Sequence, residues 1–240
     1  MSNNYFQFKQ FTIHQDKCAM KVCTDACLFG GYIADRISKK EVQPGSSLDI
    51  GSGTGLLSIL LAQKCNTTID AIEIDQDAYQ QAKENFTNTP WCNRLQIHCT
   101  DALQFQAEKK YDFIFSNPPF FGNDLRSDNQ QINAAKHDTT LTLDQLIQIV
   151  DINLSSEGSF AILLPYHRSE YFIGQAKKTG FHLQEKISVQ QTPSHDFFRS
   201  MLFFSRSERE FISAELSIKN SNNEYTENFV ELLKDYYLYL

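Results

Sequence analysis

The 240-residue sequence lacks any run of about 18 apolar residues, the length that a membrane-spanning helix requires. Its first residues, MSNNYFQFKQF, contain neither the basic segment nor the apolar segment of a secretory signal peptide. We therefore expect a cytoplasmic protein that does not act at a membrane.

The sequence also lacks a recognisable metal-binding pattern. Cys18, Cys23 and Cys27 are clustered, but the four and three residues between them match no usual zinc or iron–sulfur spacing. A fourth nearby ligand is missing as well. We predict no metal site and interpret all six cysteines as reduced thiols, which suits a reducing compartment.

A positive net charge is absent too. The formal charge of −7 argues against a protein that coats nucleic acid non-specifically, although it leaves room for a local basic face. The hydrophobic fraction of 41% excludes a disordered chain. A chain of 240 residues is long enough for one sizeable α/β domain or two small ones.

From residue 47 onward, short apolar runs alternate with helical patterns. The seven predicted strands are 47–50, 68–74, 94–99, 111–116, 158–164, 182–190 and 199–206. The helices between them are predicted to begin near Gly55, Asp75, Thr142 and Arg168. This alternation predicts an α/β fold with a seven-stranded, mostly parallel, Rossmann-like sheet and helices on both faces. We expect the last two strands to pair antiparallel at the sheet edge, so that the last strand runs antiparallel.

Two flanking segments complete this organisation. Residues 1–46 are an aromatic and basic leader with a predicted helix at 25–39, and we expect them to cap a domain formed by residues 47–240. Near the end of the chain, apolar residues with helical spacing predict a helix that packs on this domain. They are Phe229, Leu232, Leu233, Tyr236, Tyr237 and Leu240.

The stretch LDIGSGTGLLSILLA (48–62) predicts a strand, a tight glycine turn and an apolar helix. Gly51, Gly53 and Gly55 allow positive φ angles and let a ligand approach the backbone. The G-x-G-x-G pattern differs from the dinucleotide-binding G-x-G-x-x-G. Asp49, just before the turn, would repel a pyrophosphate and suits a zwitterionic or cationic ligand better.

Carboxylates follow the next two predicted strands. Glu73 ends the second strand, where it can accept two hydrogen bonds from a ribose diol. Asp101 follows the third strand, where it can accept from an adenine amino group. The order of the glycine turn, Glu73 and Asp101 on successive strands favours S-adenosyl-L-methionine as the ligand, with a nicotinamide cofactor as the alternative.

The fourth strand ends in Asn117-Pro118-Pro119-Phe120, at the edge where open α/β sheets bind ligands. An exocyclic amine of a base is a poor nucleophile, because its lone pair is delocalised into the ring. The Asn117 side-chain oxygen and the Pro118 carbonyl can each accept one of its N–H groups, and Pro119 stiffens the turn. Phe120 would stack on a flipped-out base. This motif predicts methyl transfer to a planar amine, without a metal.

These motifs resemble a known group of enzymes. LDIGSGTG (48–55), AIEID (71–75) and SNPPFF (116–121) are similar to class I methyltransferases that modify planar amino groups. The leader FKQFTIHQDKCAMKVCTDACLFGGYIA (8–34) resembles the bacterial tRNA1(Val) adenine-37 N6-methyltransferase family. The resemblance continues through KHDTTLTLDQL (136–146) to YTENFVELLKDYYL (225–238).

This resemblance implies an enzyme that methylates the N6 amine of adenine 37 in a tRNA anticodon loop, and we expect the enzyme to be a monomer. It also implies that the leader helps to close the cofactor pocket through Gln15, Lys21 and Thr24. We expect substrate-side roles for four further residues, namely Pro119, Phe121, Lys136 and His137, with Phe121 packing or at most lining the pocket rim.

Other acceptors remain open on the residues alone: guanine N2 in ribosomal RNA, adenine N6 in DNA, or the amide of a protein glutamine. A non-catalytic RNA-binding protein with this fold is the alternative from another functional class. The intact Asn117-Pro118-Pro119-Phe120 motif argues against it.

Overall fold

The computed structural model describes residues 3–40, 43–118 and 141–240. The strands are β1 (Tyr5–Gln7), β2 (Thr12–His14), β3 (Ser46–Ile50), β4 (Thr68–Glu73), β5 (Leu95–Cys99), β6 (Tyr111–Ser116), β7 (Leu154–Pro165), β8 (His182–Gln190), β9 (Phe197–Ser205) and β10 (Ile212–Ser217). The helices are α1 (Thr24–Ser38), α2 (Leu56–Lys64), α3 (Gln76–Thr87), α4 (Leu143–Asn153), α5 (Ser169–Lys178) and α6 (Glu227–Leu233). Short 3₁₀ turns lie at Cys92–Arg94 and Tyr166–Arg168.

The main sheet has the strand order β10-β8-β9-β7-β6-β3-β4-β5. β9 runs antiparallel between β7 and β8, and the remaining neighbours are parallel. All seven predicted strands are present, and the predicted antiparallel pairing of the last two is confirmed. The structure adds β10, which pairs in parallel with β8 and occupies the edge that we expected β8 to form. The first four residues of β10 are exposed, so its sequence has no apolar pattern to reveal a strand.

Alternating side chains of the strands face two separate cores. In β6, Phe113 and Phe115 pack in the core that contains α1, α2 and α6. Ile114 lies between them in the chain and packs in the opposite core, with α4 and α5. Helices therefore cover both faces of the sheet, as the strand–helix alternation predicts.

Local capping explains where two of the helices begin. The Asp75 side chain accepts from the Ala78 N–H at the start of α3 (2.8 Å). Thr142 and Gln145 form a capping box at the start of α4. The helices that follow Gly55 and Arg168 have no side-chain cap. All four predicted helix starts, near Gly55, Asp75, Thr142 and Arg168, are confirmed.

The C-terminal helix is shorter than the apolar spacing predicts. α6 ends at Leu233, so the expected continuation to Leu240 is wrong. Tyr236 nevertheless packs in the core, and its hydroxyl donates to the Leu60 carbonyl (2.9 Å). Leu240 is 43% exposed and packs little.

The leader packs on the same core as the first helices. Its strands β1 and β2 form a hairpin, and Phe8, Phe11 and Ile13 are buried with residues of α1, α2 and α6. The Lys9 N–H donates to the Tyr236 carbonyl (2.7 Å), which ties the leader to the C-terminal segment. The division into a cap at 1–46 and a domain at 47–240 stays a prediction. Within the three described ranges, no helix is long and apolar enough to cross a membrane.

Candidate active site

A cavity of about 720 Å³ lies at the carboxyl edge of the main sheet. The residues that end or follow β3, β4, β5 and β6 form its floor, and the leader loop 17–23 and the start of α4 form its walls. This is the size and position at which open α/β sheets bind cofactor-sized ligands. The topology therefore brings the predicted glycine turn, the carboxylates and the Asn117 motif together.

The three glycines of the turn have different roles. Gly51 (φ +73°), Gly53 (φ +54°) and Gly55 (φ +80°) all adopt left-handed backbone conformations that disfavour other residues. A Cβ atom on Gly51 or Gly53 would meet nothing within 4 Å, so the backbone there is open to a ligand. A Cβ atom on Gly55 would lie 2.4 Å from Cε1 of Phe86. Gly55 thus serves close packing against α3 and does not line the cavity, unlike the expectation that all three admit the ligand.

Asp49 lies beneath the turn and is fully buried. One carboxyl oxygen accepts from the Ser58 hydroxyl (2.7 Å), and the other, Oδ1, has no partner among the described residues. The pKa of Asp49 is raised to about 7: burial is the main cause, hydrogen bonding from Ser58 partly offsets it, and the nearby charge of Glu73 adds to the rise. Asp49 does not line the cavity, so its predicted contact with the ligand stays a prediction.

Glu73 lines the cavity and supports the glycine turn. Its Oε2 atom accepts from the Gly53 N–H (2.8 Å), and its Oε1 atom accepts from the Asp75 N–H (2.9 Å). A carboxylate offers about four acceptor positions, so both oxygens can still accept from a ligand hydroxyl. The expected position of Glu73 at the end of the second parallel strand is confirmed, and its role in holding the turn is a finding of the structure.

Asp101 also lines the cavity, after β5. Its Oδ1 atom accepts from the Leu103 N–H (2.9 Å), which fixes the carboxylate in a tight turn. Ile74 and Leu103 lie on the same wall and are 53% and 50% exposed. Large apolar side chains exposed in a cavity fit the faces of a planar ring such as adenine.

Asn117 and Pro118 line the cavity where β6 ends. β6 lies between β3 and β7, and the Ser116 hydroxyl donates to the Ile50 carbonyl (2.7 Å), which fixes this strand end beside the glycine turn. The Asn117 Oδ1 atom is buried and accepts no hydrogen bond from the described residues. Such an orphaned acceptor is costly unless a ligand satisfies it. The predicted residues Pro119, Phe120, Phe121, Lys136 and His137 lie outside the described residues.

The three leader residues that were predicted to contact the cofactor lie in different environments. Lys21 lines the cavity, and its ammonium donates to the Gln15 carbonyl. Gln15 is buried and does not line the cavity; instead its Oε1 accepts from the Val22 N–H (2.7 Å) and its Nε2 donates to the Asn3 carbonyl (2.9 Å). Thr24 is exposed at the first position of α1, away from the cavity lining.

Two functional candidates on α3 were missing from the sequence predictions. Gln81 and Asn85 are fully buried polar residues whose side-chain oxygens accept from the Lys17 N–H (3.2 Å) and the His14 N–H (3.0 Å) of the leader. They lie four positions apart on the helix face that also carries Ala78, Ala82 and Phe86. Polar residues on an otherwise apolar helix face are the signal that could have found them.

The two cysteines that line the cavity do not have a reactive environment. All six cysteines are free, and Cys18 and Cys23 line the cavity. Burial raises the pKa of the Cys18 thiol to about 11 and that of Cys23 to about 12, so both stay protonated at neutral pH. Over the described ranges, no group of three or more His, Cys, Asp or Glu side chains could hold a metal ion.

Comparison with known proteins identifies related chains. A family model described as "Methyltransferase small domain" matches residues 31–163. The chain is 38% identical over 238 residues to a "tRNA1(Val) (adenine(37)-N6)-methyltransferase" of Phocaeicola vulgatus, with 99% of each chain covered. It is 39% identical over 246 residues to a protein of the same name from Cytophaga hutchinsonii, with 100% of each covered.

Solved structures agree on the fold. A predicted O-methyltransferase from Agrobacterium tumefaciens superposes with a TM-score of 0.67 at 14% identity, covering 88% of this chain and 96% of that one. A putative class I S-adenosylmethionine-dependent methyltransferase from Listeria monocytogenes has a TM-score of 0.60 at 14% identity, covering 83% and 68%. At these identities the likeness shows the methyltransferase fold alone.

Proposed function

The chain belongs to the tRNA1(Val) (adenine(37)-N6)-methyltransferase family, and from this premise we propose that it methylates the N6 amine of adenine 37 in that tRNA with S-adenosyl-L-methionine as the methyl donor. The observation that carries this function is the buried, unpartnered Asn117 Oδ1 atom, located in the same cavity as the glycine turn and Glu73.

The residues of the cavity fit this cofactor. The open backbone at Gly51 and Gly53 leaves room for its methionine portion, and Glu73 offers acceptors for the ribose hydroxyls. Asp101 offers an acceptor for the adenine amino group, and Ile74 and Leu103 supply apolar surface for its ring. When bound, the cofactor supplies an electrophilic methyl group on a sulfonium.

The acceptor amine is proposed to bind at Asn117 and Pro118. The Asn117 Oδ1 atom and the Pro118 carbonyl would each accept one N–H of the amine, which directs its lone pair away from the ring. These oxygens would also stabilise the positive charge that develops on nitrogen during in-line transfer. Pro119 would stiffen the turn, Phe120 would stack on the base, and Phe121 would line the pocket rim.

We propose further assignments for the leader, the oligomeric state and the RNA contacts on the same basis. The leader loop 17–23, with Lys21, forms one wall of the cavity, which supports residues 1–46 as a cap on a methyltransferase domain at 47–240. We also propose that the protein is a monomer that acts on the anticodon loop in the cytoplasm. Lys136 and His137 are proposed to contact RNA phosphates.

A transfer assay tests the function. Purified protein incubated with labelled S-adenosyl-L-methionine and unmodified bulk tRNA should label tRNA, and nucleoside mapping should place N6-methyladenosine at position 37. Label found only in ribosomal RNA, DNA or protein would contradict the substrate. The guanine, DNA and glutamine alternatives are thus outcomes of one experiment.

An Asn117→Ala variant tests the role of the orphaned oxygen. We expect kcat to fall by about 100-fold or more, as for loss of one catalytic hydrogen-bonding group, while the dissociation constant of S-adenosylhomocysteine stays within about twofold. Asn153→Ala is a matched control, because Asn153 is a buried asparagine in α4 whose amide donates to the Ile149 carbonyl (2.9 Å). Equal loss of kcat and of analogue binding in Asn117→Ala would mean that Asn117 has a structural role.

A further inference from the structure

The side chain of Asn85 connects two walls of the cofactor cavity. It is completely buried in α3. Its Nδ2 atom donates to the His14 carbonyl (2.9 Å) in the leader and to the Thr54 carbonyl (2.9 Å) in the glycine turn. Its Oδ1 atom accepts from the His14 N–H (3.0 Å). One amide therefore uses three hydrogen bonds to join segments that are far apart in the sequence.

The leader side of this connection leads directly to the cavity. The seven residues that follow Asp16, 17–23, all line the cavity. The start of this loop is held by Gln81, one helical turn before Asn85, which accepts from the Lys17 N–H. Its end is held by Gln15, which accepts from the Val22 N–H. Three buried amides, of Gln15, Gln81 and Asn85, thus set the path of the loop.

The other side of the connection is the glycine turn itself. Thr54 lies between Gly53, whose N–H donates to Glu73, and Gly55, which packs on Phe86 of α3. Glu73 and Asn85 therefore hold two consecutive residues of the turn, Glu73 through the Gly53 N–H and Asn85 through the Thr54 carbonyl. The leader wall and the turn are both anchored to one helix, α3.

We propose that Asn85 is a positioning residue for cofactor binding, because its amide aligns the leader wall with the glycine turn without touching the cofactor. This inference rests on the proposed function, which supplies the cofactor. Asn85 itself does not line the cavity. It acts through His14 and Thr54. Its loss should therefore misalign the leader wall and the glycine turn, which must both contact the same ligand.

The test compares Asn85→Ala with a control that also removes a buried side-chain hydrogen bond. Thr67→Val is that control: Thr67 is buried at the amino end of β4, and its hydroxyl bonds that of Ser47 (2.9 Å), at the sheet edge opposite the cavity. S-adenosylhomocysteine binding is measured by calorimetry, and stability is measured by urea unfolding. We expect Asn85→Ala to weaken analogue binding by about tenfold or more, and Thr67→Val to change it by less than about twofold.

Gln81→Met provides a second variant if Asn85→Ala does not fold. It removes only the acceptor for the Lys17 N–H and leaves the glycine turn intact. We expect weaker analogue binding, with a smaller change than for Asn85→Ala, and faster amide hydrogen exchange in the 17–23 loop. In the wild type, the analogue should slow exchange in this loop, and the variants should lose part of that protection.

The outcomes separate this inference from the proposed function. A wild-type protein that does not bind the analogue would refute the cofactor assignment. A wild-type protein that binds it, with Asn85→Ala and Gln81→Met binding equally well, would overturn the positioning role. Parallel weakening in Thr67→Val would also overturn it, because the effect would then follow stability alone.

Discussion

The buried carboxyl group of Asp49 leads us to predict that the stability of the protein falls as the pH rises toward neutrality. Burial and the charge of Glu73 raise its pKa from 3.8 to about 7. The folded protein therefore keeps a proton that the unfolded chain has already lost at neutral pH. Its contribution to stability is fully present below about pH 4, declines as the pH rises, and reaches its minimum above about pH 7.

The size of this effect on stability follows from the shift in the pKa of Asp49. Each pKa unit corresponds to about 1.4 kcal/mol, so ionisation of Asp49 costs the folded state about 4 kcal/mol more than the unfolded state. Most of this cost has accumulated by pH 6, and roughly 1 kcal/mol of it appears between pH 6 and pH 8. An Asp49→Asn variant keeps an oxygen that can accept from Ser58 and removes the titration.

The assay is urea unfolding of both proteins without ligand, from pH 6 to pH 8. The free energy of unfolding of the wild type, minus that of Asp49→Asn, should fall by roughly 1 kcal/mol over this range and then level off. Contributions of other titrating groups cancel in the difference. A difference that stays constant with pH would show that Asp49 ionises normally and would refute the reasoning. A Glu73→Gln background should move the midpoint to lower pH, since it removes the charge that raises the pKa.

Two further changes test the turn. Glu73→Ala should weaken S-adenosylhomocysteine binding by about 2–4 kcal/mol in calorimetry, because the ligand loses two charge-assisted hydrogen bonds. The Gly53 N–H also loses its acceptor. An unchanged dissociation constant would exclude the assignment of Glu73 to the ribose diol. Gly55→Ala should lower the free energy of unfolding by about 2 kcal/mol or more, since it combines a φ of +80° with a Cβ atom 2.4 Å from Phe86. Gly53→Ala carries the backbone strain without the clash and should cost only about 1 kcal/mol; equal losses would mean that Phe86 moves aside.

Local patterns predicted most of the fold. Helix starts at Asp75 and Thr142 depend on side chains that cap amides three positions away, so a short window contains the whole interaction. β6 was predicted from a short apolar run, and in the structure its Phe113 and Phe115 pack on the sheet face opposite Ile114. β10 was not predicted, because an exposed edge strand needs no apolar pattern. The end of α6 was predicted wrongly, because Tyr236 packs in the core although it lies in a turn outside the helix.

The sequence by itself determined the glycine turn, the carboxylates of Glu73 and Asp101 and the Asn117 motif at the ends of four successive strands of a parallel sheet. Parallel strands bring such residues to one edge, so their order along the chain is enough to predict the site. Only the tertiary structure decided how the site is held: Asn85 meets His14 across 71 positions, Gly55 packs on Phe86, and burial changes the pKa of Asp49. These features depend on contacts between distant segments, which no local pattern contains.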